Sequence, residues 1–317
     1  MERTSRPFRF LAPVQAVLDQ AALTARARQA EDLGFHALVV PDHLIDQLAP
    51  IPALAAVAAV TERIRVMPFV LNNDLRHPAV LAQDLASIDV LSGGRLDVAI
   101  GAGWNAPEYA AIGLPFDPAA VRQARLAEAI AVLKGAFADD PFTYHGSFYD
   151  VTHLDGRPKP VQRLHPPFFI GGGGRSTLEL AAREADTVGL APRVLSGQRV
   201  DPRSITREAT AEKIGWVREA AGERFAALEF NIYPSVTGPI VTDHARREAA
   251  QVADQLRART GHALTEDQVL RSPSLFIGSV EGFVEKFLEL REELGISSIM
   301  VGDMEAMAPV VERLIGR

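Results

Sequence analysis

The chain has 317 residues, 47% hydrophobic and 23% charged, with 33 Lys and Arg against 40 Asp and Glu for a formal charge of −7. That acidic balance, without a clustered basic stripe, argues against nucleic acid as a partner. Cysteine is absent, which excludes disulfides, thiolate metal sites, thiol nucleophiles and Cys-ligated iron–sulfur clusters, and fits a reducing, cytoplasmic setting.

The opening residues, Met1 to Arg9, are polar and hold no apolar signal core. The longest apolar stretch, around Ile51 to Val60, is Ala-rich and too short to span a bilayer, so no membrane role is expected. Strand-like runs then recur along the whole chain. They are Phe8 to Ala12, His36 to Val40, Ile64 to Val70, Arg95 to Ile100, Pro167 to Ile170, Thr187 to Leu190, Leu228 to Tyr233 and Ser297 to Val301. Several are near-continuous apolar runs, the pattern of parallel strands covered on both faces.

Helical spacing fills the intervals. Leu81, Leu85, Ile88 and Leu91 form one stripe behind Pro78, and Leu126, Ile130, Leu133 and Phe137 form a second. Phe283, Phe287, Leu290 and Leu294 form a third, with Ser279 placed as its N-cap. Glu31-Asp32-Leu33-Gly34 and Glu292-Glu293-Leu294-Gly295 echo each other: each ends a helix at a glycine and feeds a buried strand. Eight strand candidates between such units predict one domain over residues 1–317, a closed (β/α)8 TIM barrel of the α/β class. Residues 139–166, with a hairpin around Gly146, and residues 259–278 read as insertions.

In that fold, chemistry sits where strands end. The second strand ends in Asp42-His43, which suits either a proton donor or acceptor with an orienting carboxylate, or a turn cap beside a solvated histidine. The third ends in Phe69-Val70-Leu71-Asn72, an apolar edge followed by amides. This suits a planar ring system, or ordinary strand packing. The fourth ends in Gly101-Ala102-Gly103-Trp104-Asn105-Ala106, formally G-x-G-x-x-A. Trp104 crowds a phosphate turn, so Gly103 is read as giving backbone room beneath a ligand. The fifth runs into Gly171-Gly172-Gly173-Gly174-Arg175 and then a helix. It is a candidate anion cradle to which Arg175 could add a charge; the alternative is a tight turn needing left-handed residues. The remaining histidines show no metal-ligand spacing, and there is no G-x-S-x-G elbow.

These residues resemble the luciferase-like monooxygenase superfamily, and more closely its branch dependent on the deazaflavin coenzyme F420. The resemblance rests on Ala30 to Phe35, Pro41-Asp42-His43, Arg76 to Ala82, Leu91 to Leu96, and Gly101 to Trp104 with Glu108-Tyr109. It continues through His165-Pro166-Pro167, Gly171 to Gly174 and Ala181 to Asp186. It implies a homodimeric barrel, a small-molecule substrate and a cofactor ring in the barrel mouth. It places a non-proline cis peptide at Phe69-Val70 or its neighbour, the cofactor phosphate on Gly171 to Gly174, and Asp42 and His43 beside the redox ring as catalytic groups. An FMN-dependent monooxygenase using reduced flavin and oxygen is the alternative on the same fold. Two departures stand out. Pro41 replaces the usual Ser, and Trp104 stands where sugar-phosphate-oxidising relatives carry Glu.

Overall fold

Short runs of buried aliphatic residues become parallel strands here, because such runs can be satisfied only with cover on both faces. The computed structural model describes residues 6–14, 16–195 and 199–317; of the polar opening stretch, Met1 to Ser5 lie outside the described residues. In chain order the described strands are β1 (Arg9–Pro13), β2 (Ala37–Val40), β3 (Arg65–Pro68), β4 (Leu71–Asn72), β5 (Val98–Gly101), β6 (Phe142–His145) and β7 (Asp150–Leu154). They continue with β8 (Phe168–Gly172), β9 (Thr187–Leu190), β10 (Glu229–Ile232), β11 (Ile240–Val241), β12 (Ile277–Gly278) and β13 (Ile296–Met300).

The chain divides into two compact units. One comprises the residues up to Pro13, Asp32–His36 and Gly171–Arg317. Within it β1, β13, β10 and β9 are paired in that order, all parallel, with Arg9 opposite Ser298 and Phe230 opposite Val188. The other comprises Val14–Glu31 and Ala37–Ile170. There β2 pairs with β3, and β5 lies between β4 and β8, again all parallel.

Helices follow the strands where the apolar periodicity placed them. The helix Pro78–Leu91 starts at Pro78, and His77 accepts from the Ala79 amide. Leu81, Leu85 and Ile88 are buried, whereas Leu91 is 68% exposed, so the expected stripe stops one turn early. The helix Ala119–Phe137 buries all four residues of its stripe. The helix Val280–Leu294 buries Phe283, Phe287 and Leu290, with Leu294 only half-buried. Its ends are as expected: Ser279 accepts from the Gly282 amide, and Gly295 closes it in the left-handed conformation. Each such Leu or Phe taken out of water contributes about 1.5–3 kcal/mol.

Two strands differ from expectation. The third breaks into β3 and β4 around Phe69-Val70, whose peptide bond is cis. The regular fourth strand begins at Val98, preceded by a single parallel bridge of Leu96 to Val66, and the Arg95 side chain is engaged elsewhere. Its guanidinium donates to the carbonyls of Ala58, Thr61, Ile64 and Ser92, tying the preceding helix and loops together. The 139–166 insertion forms the expected hairpin, with β6 antiparallel to β7. In the 259–278 insertion, Ile277 pairs with Ile240 in a separate two-stranded parallel sheet. No helix of the described residues is long and apolar enough to cross a membrane.

Candidate active site

The parallel register of the second unit puts the ends of β2, β4 and β5 on one edge, and the expected chemistry gathers there. His43, three residues past β2, is 27% exposed in its side chain. Its Nδ1 lies 3.0 and 3.2 Å from the two carboxylate oxygens of Glu108. Glu108 sits on the short helix Ala106–Ala111 and also accepts from the Leu44 amide at 3.3 Å. With Nδ1 committed to a carboxylate, Nε2 is the nitrogen left to exchange a proton with a ligand. The Trp104 ring, 47% exposed, meets the His43 ring edge-on at 5.5 Å.

Asp42 behaves differently from its neighbour. It is buried, and both its oxygens accept from Arg76, at 2.6 and 3.0 Å; one also accepts from the Asn72 amide at 2.9 Å. The carboxylate that orients His43 is therefore Glu108, and Asp42 fixes the backbone of β4. Sequence pattern gives no reason to pair His43 with a residue 65 positions away. The Glu108-Tyr109 pair belongs to the resemblance, which assigns it no role. Its place on the first helix after β5 is the signal that could have found it.

The residues expected beneath a planar ring separate into two groups. Phe69 and Val70 are half-buried; the Phe69 ring packs on Phe169 at 5.4 Å. A Cβ on Gly101 would come to 3.0 Å from Val70 Cγ2, so β5 passes close under this bulge. Leu71, by contrast, is fully buried in the core. The Asn72 amide oxygen accepts from the Tyr109 hydroxyl at 2.9 Å and from the Asp74 amide at 3.1 Å, so it is a brace. Tyr109 shares its proton with Asp74 Oδ2, also at 2.9 Å. Burial, reinforced by the Asp74 charge, pushes that hydroxyl up to about 12. Gly103 lies against this brace at φ +73°, and a Cβ there would strike the Tyr109 hydroxyl and come to 2.6 Å from Asn72 Oδ1. The Arg122 guanidinium holds the same loop through the carbonyls of Ala102 and Gly103.

The glycine turn belongs to the other unit. None of Gly171 to Gly174 has a positive φ, so the left-handed turn is not what requires them. Crowding is. A Cβ on Gly172 would come to 2.6 Å from Thr177 Cγ2, and one on Gly173 would strike the Pro192 carbonyl. Gly174 faces open space and is the N-cap of the helix Arg175–Glu184, where it supplies no side-chain cap. Arg175 is exposed, with its guanidinium on Glu179 at 2.7 Å and Glu219 at 2.8 Å. It is thus a helix-surface ion pair, and the positive end of the helix is what the turn offers.

The model of the family described as luciferase-like monooxygenase matches residues 7–314. The chain belongs to that family. An FMNH(2)-dependent dimethylsulfone monooxygenase of Pseudomonas putida is 39% identical over 131 residues, covering 41% of this chain and 36% of that protein. An F420-dependent glucose-6-phosphate dehydrogenase of Beutenbergia cavernae is 36% identical over 179 residues, covering 53% of this chain and 51% of that protein. This luciferase-like chain thus spans about half or less of the length of these curated relatives. Its fold matches the coenzyme F420 dependent tetrahydromethanopterin reductase of Methanopyrus kandleri, with TM-score 0.75, 18% identity, and coverage of 98% of this chain and 99% of that one. The fold is an α/β luciferase-like barrel, a barrel as the strand pattern predicts and luciferase-like as the resemblance implies.

Proposed function

We propose that this luciferase-like protein is a coenzyme F420-dependent oxidoreductase acting on a small organic substrate. The observation that carries it is the Glu108–His43 pair: an oriented imidazole, partly open, past the end of β2, on the edge where the half-buried Phe69 and Val70 follow the neighbouring β3. The family includes both F420-dependent and FMNH(2)-dependent relatives.

The residues fit a bound tricyclic ring. Phe69 and Val70 offer an apolar platform, and the glycine at position 101 lets the backbone pass close beneath it. When bound, a deazaflavin supplies the hydride donor or acceptor. The protein's share is at His43. Its Nε2 takes the proton from a substrate hydroxyl in oxidation, or gives it to a carbonyl in reduction, while Glu108 holds the ring and balances the imidazolium. Asp42 and Arg76 hold the β4 backbone in place. For the glycine turn we propose a phosphate ligand, held by backbone N–H groups at the start of the helix Arg175–Glu184. A single domain, a homodimer and a cytoplasmic location belong to the same proposal, and sedimentation of the purified protein tests the dimer.

The FMNH(2)-dependent relative supports a second reading, a monooxygenase supplied with reduced flavin by a reductase. Titration of the purified protein with coenzyme F420 and, separately, FMN discriminates the two through cofactor fluorescence. Preferential micromolar binding of F420 is expected. Preference for FMN moves the protein to the monooxygenase reading, and binding of neither overturns both.

A further inference from the structure

We propose that the His43 face takes an uncharged, largely apolar substrate with one carbonyl or hydroxyl group, and that Trp104 sets this preference. The proposal rests on His43 exchanging the proton, as above. Large apolar residues stand exposed against that histidine and directly after it in the chain. Leu44 and Ile45 follow it directly, at 52% and 63% exposure, and Trp104 meets its ring at 5.5 Å. The Leu44 amide donates to Glu108, so the backbone at Leu44 is held by the same carboxylate that orients His43.

The guanidinium groups nearby are already engaged, and the exposed Asp46 is the carboxylate left beside the apolar residues. Arg76 is closed on both oxygens of Asp42. Arg125 pairs with Asp74 at 2.9 Å and also with Asp117. Arg122 is bonded to the carbonyls of Ala102, Gly103 and Asp117, and its guanidinium lies 4.1 Å over the Phe116 ring. An anionic substrate group beside His43 would meet the Glu108 carboxylate, or would have to draw a guanidinium from its partner. A cationic group would find that carboxylate engaged by the imidazole. An anion finds no unengaged guanidinium and a cation finds only the solvated Asp46 carboxylate, whereas an apolar body loses nothing against Trp104. The polar atom of such a substrate has Nε2 as its partner.

The chain has two tryptophans, Trp104 and Trp216, so 5-fluorotryptophan labelling gives two resonances that W216F assigns. The labelled full-length protein, with and without its cofactor, is titrated with cyclohexanone, 4-oxocyclohexanecarboxylate and 4-aminocyclohexanone. We expect saturable movement of the Trp104 resonance by cyclohexanone, with at least about tenfold weaker binding of either charged twin. W104A should weaken cyclohexanone binding by about tenfold, while W104F restores most of it. Equal or tighter binding of a charged twin overturns the proposal, as does a Trp104 resonance that no ligand moves. Cofactor binding is read separately by its own fluorescence. A failure there counts against the oxidoreductase reading, and the apo titration still decides the substrate class.

Discussion

Glu108 and His43 form one unit: a carboxylate on the helix after β5 reaches Nδ1 of the partly exposed imidazole past β2 at 3.0 Å. Substitution of Glu108 by Gln removes the carboxylate charge and replaces an acceptor-only group by an amide that can turn either its oxygen or its NH2 toward Nδ1. E108Q is expected to lower kcat by about 10²-fold with cofactor affinity unchanged, and to alter the shape of the pH–rate profile. Aspartate at this position should recover part of the rate. If E108Q has the wild-type kcat, Glu108 does not act through His43.

Asp42 is expected to act as a clamp rather than as an acid. D42N and R76K each break the bidentate pair that holds the Asn72 amide. Because the Arg76 side chain is 25% exposed, the loss is discounted for screening to about 1–3 kcal/mol, read as a lowered urea midpoint. Cofactor affinity should fall further than kcat in both variants. A kcat loss in D42N equal to that of H43A, with normal stability, would assign Asp42 to proton transfer instead.

Gly103 tests the brace behind the site. G103A meets Tyr109 and Asn72 at a positive φ and should cost about 2–4 kcal/mol. Y109F removes one of the two obstructions, so the double variant G103A/Y109F should be more stable than the sum of the single effects. Strict additivity in thermal or urea unfolding would show that the loop yields without touching Tyr109.

The glycine turn separates structure from binding. G173A should destabilise, because its Cβ meets the Pro192 carbonyl, while G174A has open space and should fold normally. A methyl group at position 174 stands at the helix entrance, so G174A should weaken FMN or F420 binding and leave binding of the phosphate-free riboflavin unchanged. Equal effects on FMN and riboflavin would remove the phosphate from this turn.

Lys213 gives a pH dependence whose sign follows from its burial. Lys213 is 3% exposed, and its amine donates to the carbonyls of Ala191 and Ser204. Burial, with help from Arg193, holds its pKa down from 10.5 to about 8. Between these values the unfolded chain binds more protons than the folded one, so this group favours folding increasingly as the pH rises. Wild type should gain on the order of 2 kcal/mol relative to K213M between pH 7.5 and 9.5, read from urea midpoints. A loss over that interval would mean the two carbonyls keep the amine charged.

Much of this protein is local, and local order was legible. The apolar runs that become β1, β2, β9, β10 and β13, the helix ends at Pro78, Ser279 and Gly295, and the hairpin in the 139–166 insertion each follow from residues within one or two turns of each other. So does the gathering of candidate chemistry at strand ends, since a parallel strand delivers the residue after it to a common edge. Tertiary structure alone decided which side chains meet there. The sequence places Asp42 beside His43, yet Glu108 takes the histidine and Arg76, 34 positions on, takes the aspartate. It also presents Leu71 and Asn72 as one with Phe69 and Val70, although burial commits the first pair to core and brace. Periodicity records which face of an element avoids water. It does not record which of several carboxylates comes within hydrogen-bonding distance of a given imidazole, because that depends on how two helices and three strand ends close in space.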